Sequence, residues 1–171
     1  MWAWKLNDAE LIVFLYRNVP RIVPLMNAAK VFSICNTAIL PCWLLLVFLP
    51  RWKWTQRVTT LVAPLLIAAV YAWLLLTAPK TAGAGFGSLE QVTLLFSQPA
   101  ALTAGWIHYL AFDLFTGSWE VRDAQRLGIS HWLGVPCLFL TFMFGPVGLA
   151  LYLLLRLAMR KQWSAEERVT V

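Results

Sequence analysis

Charge is scarce in this sequence. Asp, Glu, Lys and Arg make up 13% of its 171 residues, about half the share of roughly 25% usual in soluble domains. There are two histidines and three cysteines, with no Cys-x-x-Cys pair. Those absences exclude a zinc module and a disulfide-stapled secreted domain. Cys35, Cys42 and Cys137 each lie in an apolar stretch, where cysteine acts as a small hydrophobe. No glycine fingerprint for a nucleotide occurs, so neither a metal nor a nucleotide cofactor is expected. The opening residues, Met1 to Asp8, lack the basic start and long apolar core of a signal peptide. They also lack the acid-poor, Ser/Arg-rich look of a plastid transit peptide. On that reading the chain works as written, in a bacterial-type inner or photosynthetic membrane.

What is present is apolar and aromatic. The chain is 60% hydrophobic, with ten Trp, ten Phe and four Tyr, a load suited to membrane interfaces. The net charge of +6, from 14 Lys and Arg against 8 Asp and Glu, flanks apolar runs and forms no continuous patch. The expected partner is therefore a lipid bilayer and no nucleic acid.

A spanning helix needs about 20 apolar residues. Four segments meet this: Val31 to Leu49, Val58 to Ala78, Pro99 to Trp119 and Ile129 to Leu155. In lipid, helices satisfy their own backbone polar groups. The expected fold is all-α, an integral membrane bundle of four transmembrane helices over residues 31–156. Residues 1–30 read as an interfacial segment, with an amphipathic helix over 8–28. Residues 157–171 read as a basic and polar tail. Ser88 and Gln91 have capping-box spacing for a short helix through Phe96. With four spans, nine Lys and Arg fall on the side of the two termini and five on the other. The positive-inside rule then puts both termini in the cytoplasm.

An ionisable group inside a span costs at least ~2.5–3.5 kcal/mol and marks function by default. The third span holds two, in Trp106-Ile107-His108-Tyr109-Leu110-Ala111-Phe112-Asp113. Trp106, Tyr109, Asp113, Thr116 and Glu120 share one helical stripe. His108 projects roughly 140° away from Asp113. Asp113 is a candidate general acid or base, and His108 a proton shuttle or an axial ligand to a pigment metal. The connection Glu120 to Gly128, dense in both signs of charge, reads as a solvated turn. His131 follows it and is a candidate to meet Asp113 or Asp123. Pro41, Pro64, Pro136 and Pro146 fall inside spans, each freeing a carbonyl four residues earlier. Asn36 and Thr37 give the first span a polar kink. Gly145-Pro146-Val147-Gly148 offers a thin surface for close helix packing.

The run Trp106 to Phe115, with Gly128-Ile129-Ser130-His131-Trp132 and Phe144-Gly145-Pro146-Val147-Gly148-Leu149, resembles the signature of the abscisic-acid-deficient-four-like family of membrane proteins. Asn36, Pro41, Trp43 and Pro50 are similar to that family's opening segment. The resemblance covers roughly residues 31–156. Plant members are neoxanthin synthases, or are required for neoxanthin synthesis, in the plastid. The resemblance implies a carotenoid or related isoprenoid ligand such as violaxanthin, and a redox-neutral isomerisation. An epoxide opens and a vinylic proton leaves, which needs one acid and one base. Asp113 would be the acid and His108 or His131 the base. Trp106, Tyr109, Asn36 and Trp132 would help hold the polyene. The alternative is a non-catalytic pigment-binding or accessory subunit of a photosynthetic membrane complex, with bound carotenoid or chlorophyll. A small transporter or assembly factor is a third reading. The small-residue surfaces permit a homodimer or a larger photosynthetic assembly.

Overall fold

The structure, a computed structural model, describes residues 28–160. The amphipathic helix expected over 8–28 lies outside them except for its last residue, as does the tail from 161 onward. Six helices and no strand occur among the described residues: α1 Ala28–Phe48, α2 Thr55–Thr77, α3 Leu89–Phe96, α4 Pro99–Leu127, α5 His131–Phe144 and α6 Pro146–Arg160. The expected all-α class is what forms. The chain divides into two compact units. One contains residues 28–37 and 69–107, the other residues 38–68 and 108–160.

Prolines shape the first two helices. Pro41 lacks an N–H, and α1 tightens there into a turn at Ile39, whose carbonyl accepts from both Cys42 N at 3.0 Å and Trp43 N at 3.3 Å. In α2 a π-helical stretch, Val58–Val62, precedes Pro64. The wider turn accommodates the carbonyls that a proline ring displaces. Thr59 Oγ1 donates to the Thr55 carbonyl at 2.9 Å along the same stretch. Both helices are long and apolar, yet only 28% of the apolar window of α1 and 17% of that of α2 is buried. A helix from the core of a soluble protein would be mostly buried.

The cap of α3 forms as its spacing predicts. Ser88 Oγ accepts from Gln91 N at 3.3 Å, and Gln91 Oε1 accepts from Gly87 N at 3.1 Å. The first occupies a free donor of the opening turn, and the second ties the residue before the cap back to the helix. Backbone and Ser88 hydrogen bonds hold the Glu90 carboxyl below its ordinary range.

The end of α4 is a Schellman motif. Gly128 has φ +64° and donates to the Gln125 carbonyl, while Ile129 N donates to the Ala124 carbonyl at 2.9 Å. This pattern closes the orphan carbonyls of the last turn.

The run from Ile129 to Leu155, expected as one membrane-spanning helix, is folded back on itself. Gly145 adopts φ +46°, ψ −95°, a left-handed conformation that favours glycine. Pro146 then starts α6, where a missing N–H is harmless; it does not kink a span from within. The two helices pack side by side. Gly148 lies so close to Thr141 that a Cβ added there would fall on the Thr141 backbone nitrogen. Farther down, Tyr152 of α6 packs with Cys137 of α5 and with Ala124 and Ile129, flanked by Trp119, Leu127 and Leu155. In a straight helix residues 137 and 152 would stand about 22 Å apart. The helices have 14 and 15 residues, each roughly 21 Å long against a hydrocarbon core of about 30 Å. The thin surface expected at Gly145–Gly148 is used, but inside the run and not against another span.

Gly148→Val is expected to lose at least about 3 kcal/mol, the upper end of overpacking costs, seen as a lower melting temperature in detergent. Gly134→Ala is the control. A Cβ there meets nothing within 4 Å, so its melting temperature should hold or rise.

Candidate functional site

From Asp113 onward one face of α4 is acidic and turned toward the α5–α6 hairpin. Residues 113, 116, 120 and 123 recur at spacings of three and four, which keeps them in one stripe. Asp113 meets the apex of the hairpin, and its Oδ1 lies 2.8 Å from where a Cβ on Gly145 would sit. Tyr109, one turn earlier, is hydrogen-bonded to Asp113. Glu120 Oε1 accepts from Thr141 Oγ1 at 2.9 Å. Asp123 Oδ2 accepts from Tyr152 Oη and Arg156 Nε, each at 2.8 Å, and its Oδ1 accepts from Arg126 at 2.7 Å. Asp113 Oδ2 and Glu120 Oε2 are buried without a hydrogen-bond partner.

The solvated turn expected over Glu120 to Gly128 is thus only partly solvated. Glu120 is 2% exposed and Asp123 4%. Arg156, the residue just past the expected fourth span, is 2% exposed. The reason is the fold-back, which returns Tyr152 and Arg156 to the level of Asp123. Sequence reasoning missed this set. Its signal was the spacing of four between Tyr152 and Arg156, with Asp123 continuing the Asp113–Glu120 stripe.

A cavity of about 690 Å³ opens at the other end of the hairpin. Val47 and Phe48 from the end of α1, residues 49–52, Gln125 near the end of α4 and residues 128–132 line it. Hydrogen bonds hold its walls. Gln125 Nε2 donates to the Pro50 carbonyl at 2.9 Å, and Thr55 Oγ1 donates to the Leu49 carbonyl at 2.6 Å. His131 Nε2 is 2.8 Å from the Val47 carbonyl oxygen. A carbonyl only accepts, so Nε2 carries the hydrogen and Nδ1 of the neutral ring is an acceptor. Trp132 stands edge-on to His131 with ring centroids 5.9 Å apart.

Val47 and Phe48 also line a second hollow, an apolar groove of about 420 Å³. Its walls are Leu40, Trp43 and Leu44 from α1 and Val135, Leu138, Phe139 and Phe142 from α5. The cavity can position a polar, ring-sized group beside an imidazole and the exposed Arg51, and the groove can take an apolar chain.

The residues singled out from sequence fall into separate groups. His131 and Trp132 share the cavity. Asp113 and Tyr109 lie by the hairpin apex. Gly145 and His131 terminate opposite ends of α5, about 20 Å apart, so Asp113 and His131 do not meet. Asn36 and Trp106 bond to one another, indole Nε1 donating to Asn36 Oδ1 at 3.2 Å, with Phe32 packed at 5.6 Å on the Trp106 ring. His108 is exposed and stacks against Phe112 at 4.5 Å, on a different side of α4 from Asp113. Cys35, Cys42 and Cys137 are buried and unbridged.

The family model described as ABA4-like, ABA DEFICIENT 4-like, matches residues 30–152. Protein ABA DEFICIENT 4, chloroplastic, of Arabidopsis thaliana is 28% identical over 146 residues, covering 80% of this chain and 65% of that protein. The chain thus spans just under two thirds of the length of the curated relative it matches. No solved structure matches the chain.

Arg156→Met leaves a buried Asp123 short of a charge partner and should cost about 3–5 kcal/mol in detergent unfolding. Adding Asp123→Asn to that variant should recover a large part of the loss, because the uncompensated charge goes with it.

Proposed function

The chain belongs to the ABA4-like family, and from that membership we propose an integral membrane protein of carotenoid metabolism, a redox-neutral isomerase acting on an epoxy-carotenoid. The observation that carries the reading is a cavity with His131, Gln125 and Arg51 in its wall that adjoins an all-apolar groove. An epoxy-carotenoid has that division of chemistry, an oxygenated end ring on a long polyene.

The reaction needs no electron carrier. The vinylic C–H bond breaks, its electron pair forms the new cumulated double bond, and the epoxide C–O bond breaks in turn. The proton leaves to His131 Nδ1, which the Nε2–H bond to Val47 orients as an acceptor. Arg51 stabilises the developing alkoxide, and the same proton, or one from water, ends on that oxygen. Positioned proton transfer of this kind contributes typically 10²–10⁴-fold. Asp113, about 20 Å away along α5, supports the hairpin apex and does not act on the ring. Co-expression with a carotenoid pathway, followed by pigment chromatography, tests this. His131→Ala should lower conversion per folded protein by about 10² or more. Asp113→Asn should lower the amount of folded protein and leave conversion per folded protein near that of the parent. A coloured protein without conversion would instead fit the pigment-binding subunit.

The membrane reading rests on α1 and α2, which are long, apolar and mostly uncovered. They cross as two spans, and α4, 29 residues long and so about 43 Å, crosses as a third. The α5–α6 hairpin enters and leaves on one side, because neither arm is long enough to cross. This regroups the charges. Residues 49–54, 128–130 and the end of α6 share one side; among the described residues seven Lys and Arg fall on them and the adjoining helix ends, against two, Lys30 and Lys80, on the other. The positive-inside rule then puts the C-terminal side and the cavity in the cytoplasm and the N-terminal side outside, unlike the orientation obtained with four spans. With an impermeant maleimide on intact cells, Lys80→Cys should label, while Lys53→Cys and Met159→Cys should label only after lysis. Labelling of Lys53→Cys with Lys80→Cys and Met159→Cys protected would restore the four-span arrangement.

A further inference from the structure

We infer that the His131 cavity and the apolar groove are one binding site that takes a single end of an elongated polyene, one oxygenated ring and half of the chain, entering sideways from the bilayer. This rests on the carotenoid reading above and adds what part of the molecule is recognised.

The two hollows adjoin, since Val47 and Phe48 line both. Polar groups lie at one end only. His131, Gln125, Ser130 and Arg51 line the cavity, and every residue lining the groove is apolar. A second oxygenated ring would therefore have no partner at the far end, and burying a hydroxyl without one is unfavourable. The far end is closed. Trp43 and Phe142 meet edge to face at 5.3 Å. Trp43 is pressed against Gly117, where a Cβ would lie 2.8 Å from the indole ring. From His131 to Phe142 is eleven residues of helix, about 16 Å. A full-length carotenoid reaches between the faces of a hydrocarbon core about 30 Å thick, so close to half of it fits. The flank is open along its length, with Leu44 56%, Phe48 66% and Phe139 61% exposed. The unheld half can remain in lipid.

The test uses the full chain in detergent, with tryptophan fluorescence quenched by the polyene as the readout. The probes are an epoxy-xanthophyll, a half-length apocarotenoid with the same ring, a carotene with no ring oxygen, and palmitate, the last read by its displacement of the epoxy-xanthophyll. The half-length compound should bind within about threefold of the full-length one, and the carotene and palmitate at least tenfold more weakly, a tenfold change being 1.4 kcal/mol. Leu44→Trp, a change at an exposed lining residue that should leave the melting temperature unchanged, should weaken both xanthophyll ligands by about tenfold or more. Full-length binding tenfold or more above the half-length compound would overturn single-end recognition while leaving the carotenoid reading intact. So would an unaffected Leu44→Trp variant that retains xanthophyll binding. Palmitate binding equal to the xanthophyll would overturn ring recognition. Binding of no polyene would overturn both this inference and the functional reading.

Discussion

Gly145 sets the arrangement of everything that follows it. Its left-handed backbone, φ +46°, is open to glycine and strained for other residues. A Cβ there would also lie 2.8 Å from Asp113 Oδ1, so the carboxylate would have to shift. With Gly148 giving way to the Thr141 backbone, two helices of 14 and 15 residues can lie against each other. Were the turn to open, Tyr152 and Arg156 would leave Asp123, and Thr141 would leave Glu120.

The acidic stripe of α4 makes sense only against that hairpin. Asp123 is 4% exposed, yet it is bonded by a tyrosine and two arginines. A buried ion pair of this kind is weak evidence of net stability, because desolvation offsets most of its attraction. What it does enforce is register, since a one-turn slip of α6 would strand a carboxylate and a guanidinium in an apolar interior. Register in turn fixes the other end of the hairpin, where His131 reaches the Val47 carbonyl and the cavity opens. Structure and proposed chemistry are connected through α5, whose far end is fastened at Gly145 and whose near end carries the histidine.

Some of this was legible in the sequence and some was not. The α3 cap was, because Ser88 and Gln91 act within four residues and need no tertiary context. A local disturbance of the helix at Pro41 and the burial of the three cysteines were legible for the same local reason. The hairpin was not. Residues 129–155 are apolar almost throughout, and hydropathy carries no sign of direction. The cue was Gly145 followed by Pro146, which can end one helix and begin another as readily as it can kink one. Reading it as a kink made Arg156 a flank and the segment after Glu120 a solvated turn. For the site, the polar residues were visible one by one, but their grouping was not. His131 joins Trp132 at the cavity, Asp113 joins Tyr109 at the hairpin apex, and Asn36 joins Trp106. The apolar groove combines α1 and α5, about ninety residues apart in the chain, which no local pattern announces.

Whether residues 131–160 form a closed hairpin is decided by one distance. Trp132 and Met159 are both exposed and lie near the free ends of the two arms. Spin labels at these positions, measured by pulsed electron resonance in lipid nanodiscs, should be roughly 20 Å apart or less, since packed helices run 8–10 Å apart. A separation near 40 Å, the length of a continuous helix of that many residues, would contradict the account.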